Sequence, residues 1–416
     1  MVTISGVGAA NGPSRAAFNR WFRYPAGFSD FALDRALAYL DLTPGSIVAD
    51  PFAGAAVGGT FVTSRGLRFV GIEAHPLVAE LAQLKFAATE DPEGLVVAAR
   101  SVAEVARRKG TRDEHVLLRA CFEPSTLGVL AALRDEIKRS TRSRWRVYLK
   151  WAHLATLRDC ANVRVAWPYQ RPQVARKPVA RHARERFLQR AGLMAEDLST
   201  RSYQPDGRVV AGDARTAAAW HGALGQERAD ACLTSPPYLN NYDYADGTRL
   251  EAYFWGFADS WRTLVDRVRR PMITATTQQT SRALALAAAT QLSQLKPLEQ
   301  EIHRLSSALA GERERRPRGK EYDALLVCYL VDMWKVLARM RRSLRPGAAA
   351  LFVIGDSAPY GVYIDTPELI ARLAESLGFQ RVTVEHLRDR GLRWRGNGSR
   401  HAVRLTEQLL VLRGPH

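Results

Sequence analysis

The amino-acid sequence predicts a doubly wound α/β domain that carries two helical insertions. Two apolar stretches, residues 47–50 and 69–73, flank a glycine-containing turn and a helix, which is the pattern of a βαβ unit. A third apolar stretch, residues 231–233, leads into the sequence TSPPY and must stop there, because proline gives a strand no hydrogen-bond donor. Since α/β sheets bind ligands at the carboxyl ends of their strands, these strand ends are candidate sites.

The length of the chain limits the number of domains, and its net charge indicates the kind of partner. The chain has 416 residues, of which 46% are hydrophobic, so it can form one large α/β domain with insertions, or two domains. Its net charge of +18 favours a polyanionic partner, because neutralising phosphates releases counterions. The alternative is a protein from an organism that favours arginine.

The cysteines and the apolar stretches exclude several classes of protein. The four cysteines are scattered without a CxxC pair, which argues against a zinc site and a disulfide framework, and Cys232 and Cys328 are expected in the core. No apolar stretch reaches membrane-spanning length, and the first residues lack a signal-peptide pattern. We therefore expect a reduced, cytoplasmic protein with no metal and no membrane partner.

The first βαβ unit has the spacing of a nucleotide-binding unit. Glu73 closes the second strand roughly 20 positions after the glycine turn, the distance at which such units reach ribose hydroxyls. Upstream, Ser29 is a good N-cap for a helix that runs to Leu40. A helix is also predicted at residues 76–88, where leucines share one face.

The TSPPY stretch, residues 234–238, predicts a stiff loop with a particular chemistry. It presents the hydroxyl of Ser235, backbone carbonyls and the aromatic face of Tyr238. Those groups suit a planar base with an exocyclic amine, since the oxygens accept hydrogen bonds from the amine and the ring stacks on the base. A proline-stiffened turn without such a role is the commoner explanation of Pro-Pro-Tyr alone.

Two stretches interrupt the α/β pattern. Residues 91–204 have helical patterning, many arginines, a polar Arg-Pro-rich middle at residues 170–184, and five interleaved aromatic residues, Trp145, Tyr148, Trp151, Trp167 and Tyr169. This composition suits phosphate contact and base stacking, with a solvated helical cap as the alternative. The second stretch, residues 265–320, repeats leucines at three and four, which fits a helical hairpin or an oligomer contact; the repeat is Leu295, Leu298, Ile302, Leu305 and Leu309.

The pattern resumes around these stretches. A strand is predicted before Asp213, a helix at residues 322–344, a strand at 348–354 and a helix from Thr366. Two further strands are predicted at residues 382–387 and 408–412, and the basic, glycine-rich stretch between them, residues 388–401, is a candidate DNA contact. Behind TSPPY lie five polar or aromatic residues that could help to hold an extruded base: Tyr242, Tyr244, Asp246, Arg249 and Glu251. Arg249 and Glu251 could instead form a structural ion pair with each other.

The chain resembles the amino-methylating DNA methyltransferases, which use S-adenosylmethionine to modify cytosine N4 or adenine N6. The resemblance is carried by DPFAG at residues 50–54, GIEAHP at 71–76, AGDAR at 211–215 and TSPPY at 234–238, with weaker support from RYPAGFS at 23–29 and FVIGDS at 352–357. It implies a Rossmann-like methyltransferase sheet with an antiparallel last strand. The SPPY form is more typical of cytosine N4 enzymes, whereas DPPY is typical of adenine N6 enzymes.

The resemblance also implies roles for particular residues. Residues 1–90 form the cofactor-binding half, 91–204 the basic insertion for target recognition, and 205–416 the catalytic half with the insertion at about 265–320. Glu73 binds ribose, Asp213 accepts from the adenine amine, and Phe28 with Ser29 lies near the methionine end of S-adenosylmethionine. The cofactor-binding residues are Phe28, Ser29, Asp50, Pro51, Phe52, Ala53, Gly54, Glu73, Asp213, Ala214 and Thr234. The catalytic residues are Ser235, Pro236, Pro237 and Tyr238.

One departure from the family and several alternatives stay open at this point. Ala56 stands where the family usually has a second glycine, so either the turn shifts towards Gly58 and Gly59 or cofactor affinity is reduced. The substrate is expected to be double-stranded DNA, with adenine in DNA, a base in RNA, and a non-catalytic nucleic-acid-binding role as alternatives. A homodimer and a restriction or defence-system partner are also compatible with the resemblance.

Overall fold

The computed structural model describes residues 16–24, 28–87, 91–107, 110–112, 114–140, 144–163, 182–240, 242–289, 291–391 and 403–415. The chain forms two compact units. The first contains residues 1–25, 80–205 and 244–269, and the second contains residues 26–79, 206–243 and 270–416. The predicted insertion at 91–204 thus falls within the first unit, together with two other segments of the chain.

The second unit is built on a seven-stranded sheet. In chain order the strands are β1 Ile47–Asp50, β2 Arg68–Glu73, β3 Gly207–Ala211, β4 Ala229–Thr234, β5 Leu344–Gly355, β6 Gln380–Arg390 and β7 Leu405–Arg413. Their spatial order is β3-β2-β1-β4-β5-β7-β6, and all neighbours are parallel except for β7, which is antiparallel to both β5 and β6. This is an α/β Rossmann-like sheet with an antiparallel last strand, so the predicted fold class is confirmed.

The strand order places the ligand crevice. The strands before β4 follow one another outwards from β1, whereas β4 starts again on the other side of β1. This reversal is the topological switch point, and in open α/β sheets ligands bind outside the carboxyl ends of the strands there. Every residue of β1 is buried, as is nearly every residue of β4, which suits central strands covered on both faces.

Sixteen α-helices connect and surround these strands in the part of the chain that the structure describes. They are α1 Asp30–Leu37, α2 Val57–Thr63, α3 Pro76–Leu84, α4 Pro92–Val105, α5 Val116–Cys121, α6 Pro124–Arg139, α7 Arg146–Cys160, α8 Ala183–Ser199, α9 Ala217–Leu224, α10 Tyr244–Gly247, α11 Arg249–Phe254, α12 Trp261–Leu264, α13 Arg282–Ala289, α14 Glu299–Glu314, α15 Tyr322–Ser343 and α16 Thr366–Ser376. In the second unit α2 packs on β1 and β2, α9 on β2 and β3, and α16 on β5, β6 and β7.

The leucine repeat of the second insertion belongs to the core of the second unit. Its five side chains are at most 1% exposed and lie in the same apolar cluster as α15, against which α14 packs. The helical interpretation is therefore confirmed. The alternative of an oligomer contact is wrong for these side chains, because they are already buried within the chain.

The first unit is helical, and its aromatic residues form its core. Trp145, Tyr148 and Trp151 are 6%, 5% and 2% exposed, and Trp21 packs edge-on against Tyr148 at 6.1 Å between ring centroids. The prediction that these three rings stack on nucleic-acid bases is therefore wrong. Helix α7 is buried on most of its circumference, so its aromatics serve packing while its charged residues lie on the remaining surface.

Some of the residues singled out in the sequence lie outside the described part of the chain. Trp167, Tyr169 and most of the Arg-Pro-rich stretch lie outside the described residues, as do residues 392–402. All four cysteines are buried and free, which confirms the core positions expected for Cys232 and Cys328. Among the described residues, no helix is both long enough and apolar enough to cross a bilayer, and no cluster of His, Cys, Asp and Glu is suited to a metal ion.

Candidate functional site

The DPFAG and TSPPY motifs meet directly in the structure. Asp50 is the last residue of β1 and Thr234 the last of β4, and these strands are parallel neighbours. The hydroxyl Oγ1 of Thr234 donates to Oδ1 of Asp50 at 2.5 Å, and the backbone N–H of Phe52 donates to the same oxygen at 2.9 Å. Two motifs 184 residues apart therefore form a single strand-end site, as the sequence predicts.

Glu73 ties the end of β2 to the turn after β1. Its Oε2 accepts from the backbone N–H of Gly54 at 2.8 Å and its Oε1 from that of His75 at 2.7 Å. The side chain is 7% exposed, and burial raises its pKa to about 7, as burial raises that of the nearby Asp50 to about 7. Two buried carboxyl groups thus line the turn, each poised between its neutral and ionised forms near neutral pH.

The turn between these carboxyl groups has an unusual backbone. Gly54 and Ala56 both adopt left-handed conformations, with φ of 52° and 56°. Ala53 comes so close to β2 that a Cβ placed on Gly71 would lie 2.7 Å from the Ala53 Cβ. The turn is not shifted towards the later glycines, because α2 begins at Val57 with Ala56 as its N-cap. The expectation that the turn shifts towards Gly58 and Gly59 is therefore wrong, because Ala56 itself adopts the left-handed conformation that usually favours glycine.

Replacing Ala56 by glycine should stabilise the protein. An L-residue in the left-handed region carries steric strain that glycine lacks, so Ala56→Gly should raise the free energy of unfolding by about 0.5–1 kcal/mol. Ala55→Gly is the matched control, because Ala55 has no positive φ and glycine there should lower stability by a similar amount. Urea unfolding of both variants measures the difference, and an equal loss in the two would contradict strain at Ala56.

Phe28 and Ser29 lie beside the same turn. The ring of Phe28 is 6% exposed and packs against α2, where a Cβ on Gly58 would lie 3.1 Å from ring atom Cε2. The Ser29 Oγ accepts from the backbone N–H of Ala32 at 3.1 Å, which confirms Ser29 as the N-cap of α1, although the helix ends at Leu37. Their role towards a cofactor stays a prediction.

Asp213 lies two residues past the end of β3, but its carboxylate is already bound. Arg215 donates to it from the backbone N–H at 2.9 Å and from Nη2 at 2.8 Å, and Arg215 also pairs with Asp332 at 2.9 Å. This arrangement, despite partial desolvation, raises the pKa of Arg215. An adenine amine that binds Asp213 would have to share its carboxylate with Arg215. The neighbouring residue Ala214 is buried.

The loop after β4 is irregular, as its two prolines predict. Regular strand structure ends at Thr234, and Ser235 to Tyr238 form no helix or strand. Ser235, Pro237 and Tyr238 are partly exposed, whereas Pro236 is buried. The loop therefore presents a hydroxyl, prolines that carry no N–H and an aromatic ring at the carboxyl end of β4.

Tyr238 is held by side chains of the last two strands, which sequence reasoning missed. Its hydroxyl donates to Oε1 of Glu407 at 2.9 Å, and Arg388 pairs with Glu407 at 2.7 Å. The guanidinium carbon of Arg390 lies 4.7 Å from the centroid of the Tyr238 ring. Burial raises the pKa of Tyr238 well above its usual value, so the phenol stays protonated. No spacing in the sequence signals these partners, which lie 169 residues away in the case of Glu407.

Of the five residues behind the loop, three take part in ion pairs: Asp246, Arg249 and Glu251. Glu251 is 1% exposed and pairs with Arg158 at 2.5 Å, while Arg249 pairs with Asp246 at 3.3 Å. The proposed pairing of Arg249 with Glu251 is therefore wrong. These four residues belong to the first unit, whereas Tyr242 belongs to the second.

Comparison with known proteins points to methyltransferases, although no family model matches the chain. The type II methyltransferase M.BsoBI of Geobacillus stearothermophilus is 22% identical over an alignment that covers 92% of this chain and 82% of that protein. The type II methyltransferases M.AvaI of Nostoc sp. and of Anabaena variabilis are each 28% identical over 158 residues, 37% of this chain and 31% of theirs. Among solved structures, the rRNA methyltransferase aviRa from Streptomyces viridochromogenes covers 94% of this chain and is itself covered to 89%, at 11% identity and a TM-score of 0.31.

Proposed function

We propose that this chain, a methyltransferase by its relatives and its sheet, transfers a methyl group from S-adenosylmethionine to an exocyclic amine of a flipped base in DNA, with cytosine N4 as the first candidate. The observation that carries the proposal is the hydrogen bond between Thr234 and Asp50. It joins a turn of the kind that binds nucleosides to a loop of the kind that binds a planar base.

The residues of the first strand ends fit the cofactor. Glu73 has two carboxylate oxygens that each accept one backbone N–H, which leaves lone pairs for ribose hydroxyls. Asp213 would hold the adenine, and Phe28 with Ser29 the methionine end. When bound, S-adenosylmethionine supplies a methyl group activated by a sulfonium sulfur. Its positive charge suits a site lined by carboxyl groups.

The loop after β4 fits the base. Ser235 and the carbonyl of Pro236 would accept hydrogen bonds from the amine, which orients its nitrogen lone pair, while Tyr238 stacks on the ring. Holding both reactants in one orientation supplies much of the acceleration in such a reaction. Cys232, at 0% exposed and within β4, is not placed to act as a nucleophile, which argues against cytosine C5 chemistry.

DNA is favoured as the substrate by the relatives and by charge. M.BsoBI and M.AvaI are type II methyltransferases, a class paired with restriction, so we extend to this chain a DNA substrate, a restriction partner and a cytoplasmic location. We also propose that the first unit contacts the DNA backbone through exposed basic residues at the end of α6 and the start of α7: Lys138, Arg139, Arg144 and Arg146.

Mapping of modified bases tests the proposal. DNA from cells that express the protein should contain N4-methylcytosine at one short sequence, which single-molecule sequencing detects together with N6-methyladenine. Methyl transfer from labelled S-adenosylmethionine to transfer RNA rather than to duplex DNA would favour the RNA alternative. The absence of S-adenosylmethionine binding in calorimetry would favour a non-catalytic relative.

A further inference from the structure

The ring proposed to stack on the target base is in contact with an arginine. The guanidinium carbon of Arg390, at the end of β6, lies 4.7 Å from the centroid of the Tyr238 ring. Its Nη1 also donates to the backbone carbonyl of Asp356 at 2.9 Å, which fixes the planar group in place. Arg390 is thus held by two contacts rather than directed into solvent.

The guanidinium occupies the space that a base would need. Tyr238 packs against the apolar core of the second unit and is itself partly exposed, and Arg390, which lies over its ring, is also only partly buried. Stacked aromatic rings have centroids about 4.5–7 Å apart, and a guanidinium at 4.7 Å falls within that distance. A base could not stack on this side of Tyr238 until Arg390 moved.

A glycine makes room for this arginine. A Cβ on Gly355, the last residue of β5, would lie 2.2 Å from Nη1 of Arg390 and 3.1 Å from the carbonyl oxygen of Thr406. Gly355 has no positive φ, so its backbone does not itself require glycine. The absence of a side chain at Gly355 therefore permits the guanidinium to reach the tyrosine.

We propose that Arg390 is a positioning residue that covers the stacking side of Tyr238 in the free protein, gives way to the flipped base, and then contacts a DNA phosphate. This rests on the proposed function, because it assumes that Tyr238 stacks on the target base. The exchange replaces one planar contact with another: the ring loses the cationic guanidinium and gains the neutral base, and the arginine gains an anionic partner.

Two variants remove the cover in different ways. Arg390→Ala deletes the guanidinium, and Gly355→Ala should displace it while keeping its charge, since the atom that must move is the end of a flexible side chain. Arg404→Ala is the matched control, because Arg404 is an exposed arginine of the neighbouring strand end that pairs with Asp389. Thermal unfolding of each variant checks that it is folded.

Titration with 2′-deoxycytidine and 2′-deoxyadenosine, with S-adenosylhomocysteine present, measures access to the ring. We expect one of the nucleosides to bind Arg390→Ala and Gly355→Ala about three- to thirtyfold more tightly than the unaltered protein, and Arg404→Ala to bind as the unaltered protein does. In titrations of a random-sequence duplex at several salt concentrations, Arg390→Ala should lose about 0.9 from the slope of log affinity against log salt, whereas Gly355→Ala should keep the slope.

Equal or weaker nucleoside binding in both variants would overturn the proposal; weaker binding would mean that the guanidinium supports the ring from behind. An unchanged salt slope in Arg390→Ala would overturn the phosphate contact. Failure of the proposed function is distinguishable, because in that case Tyr238→Ala would bind nucleosides as well as the unaltered protein does, or no nucleoside would bind at all.

Discussion

Tyr238→Ala should lower kcat/KM for DNA methylation by about ten- to a hundredfold, with little change in affinity for S-adenosylmethionine. The alanine removes the ring on which the flipped base stacks, and such stacking contributes about 1–3 kcal/mol for each base. The hydroxyl of Tyr238 donates to Glu407 and stays protonated, so we do not expect it to act as a general base. Methyl incorporation into duplex DNA, with calorimetry of the cofactor alongside, measures the two effects separately.

Tyr238→Phe is the matched variant for this prediction. It keeps the ring and removes the hydroxyl with its hydrogen bonds to Glu407 and Ser235, while the other carboxylate oxygen of Glu407 remains paired with Arg388. We expect the phenylalanine variant to retain kcat/KM within about threefold, which corresponds to less than one ordinary hydrogen bond. A phenylalanine variant as impaired as the alanine variant would mean that the hydroxyl, and not the ring, is what matters.

Glu73→Gln should weaken S-adenosylmethionine binding by about ten- to a hundredfold at pH 8, because hydrogen bonds to a charged carboxylate are stronger than those to an amide. In the unaltered protein, affinity should rise with pH up to about 7 and then level off, since burial raises the pKa of Glu73 to about 7 and ribose hydroxyls favour its ionised form. The variant should lose most of this rise. Calorimetry from pH 5.5 to 8.5 measures both.

The free energy of unfolding should fall with rising pH, whereas the affinity for S-adenosylmethionine should rise. The pKa of Glu73 is raised on folding from 4.5 to about 7, so between these values the folded state binds more protons than the unfolded state. The free energy of unfolding should therefore fall as pH rises through this window, and Glu73→Gln should flatten part of that fall. Asp50→Asn is the control, because Asp50 titrates in the same window. If only Asp50→Asn flattened the affinity profile, Glu73 would not be the ribose ligand.

The strand ends could be predicted from sequence because their signals are local. A short apolar stretch that ends in Asp50, Glu73 or Thr234 identifies both the strand and its carboxyl end, and parallel neighbours then bring those ends together. The leucine repeat, which starts in a short 3-10 helix at Leu292–Leu298 and continues in α14, could equally be predicted as helical, since its period is that of a helix face. The hydrophobic pattern does not show whether this apolar face packs within the chain or against a second copy of it. The structure shows that it packs against α15.

The surroundings of Tyr238 could not be predicted, because they depend on pairing between distant strands. Arg388 and Arg390 looked like part of a basic loop, whereas they extend β6 opposite β7, with Asp389 paired with Thr406. The aromatic residues of α7 were misinterpreted for a related reason. Charge between aromatics suits a nucleic-acid surface and a buried helix equally, and only the neighbouring helices decide between the two.

The division of the chain into units has a consequence for any attempt to dissect it. Each unit is assembled from three separate segments, and the backbone passes from one unit to the other five times. No single truncation or proteolytic cut can therefore yield either unit intact. A fragment ending at residue 205 would lack helices α10, α11 and α12 of the first unit and all five of the strands β3 to β7. Expression of the first unit by itself would require its three segments to be joined by new linkers.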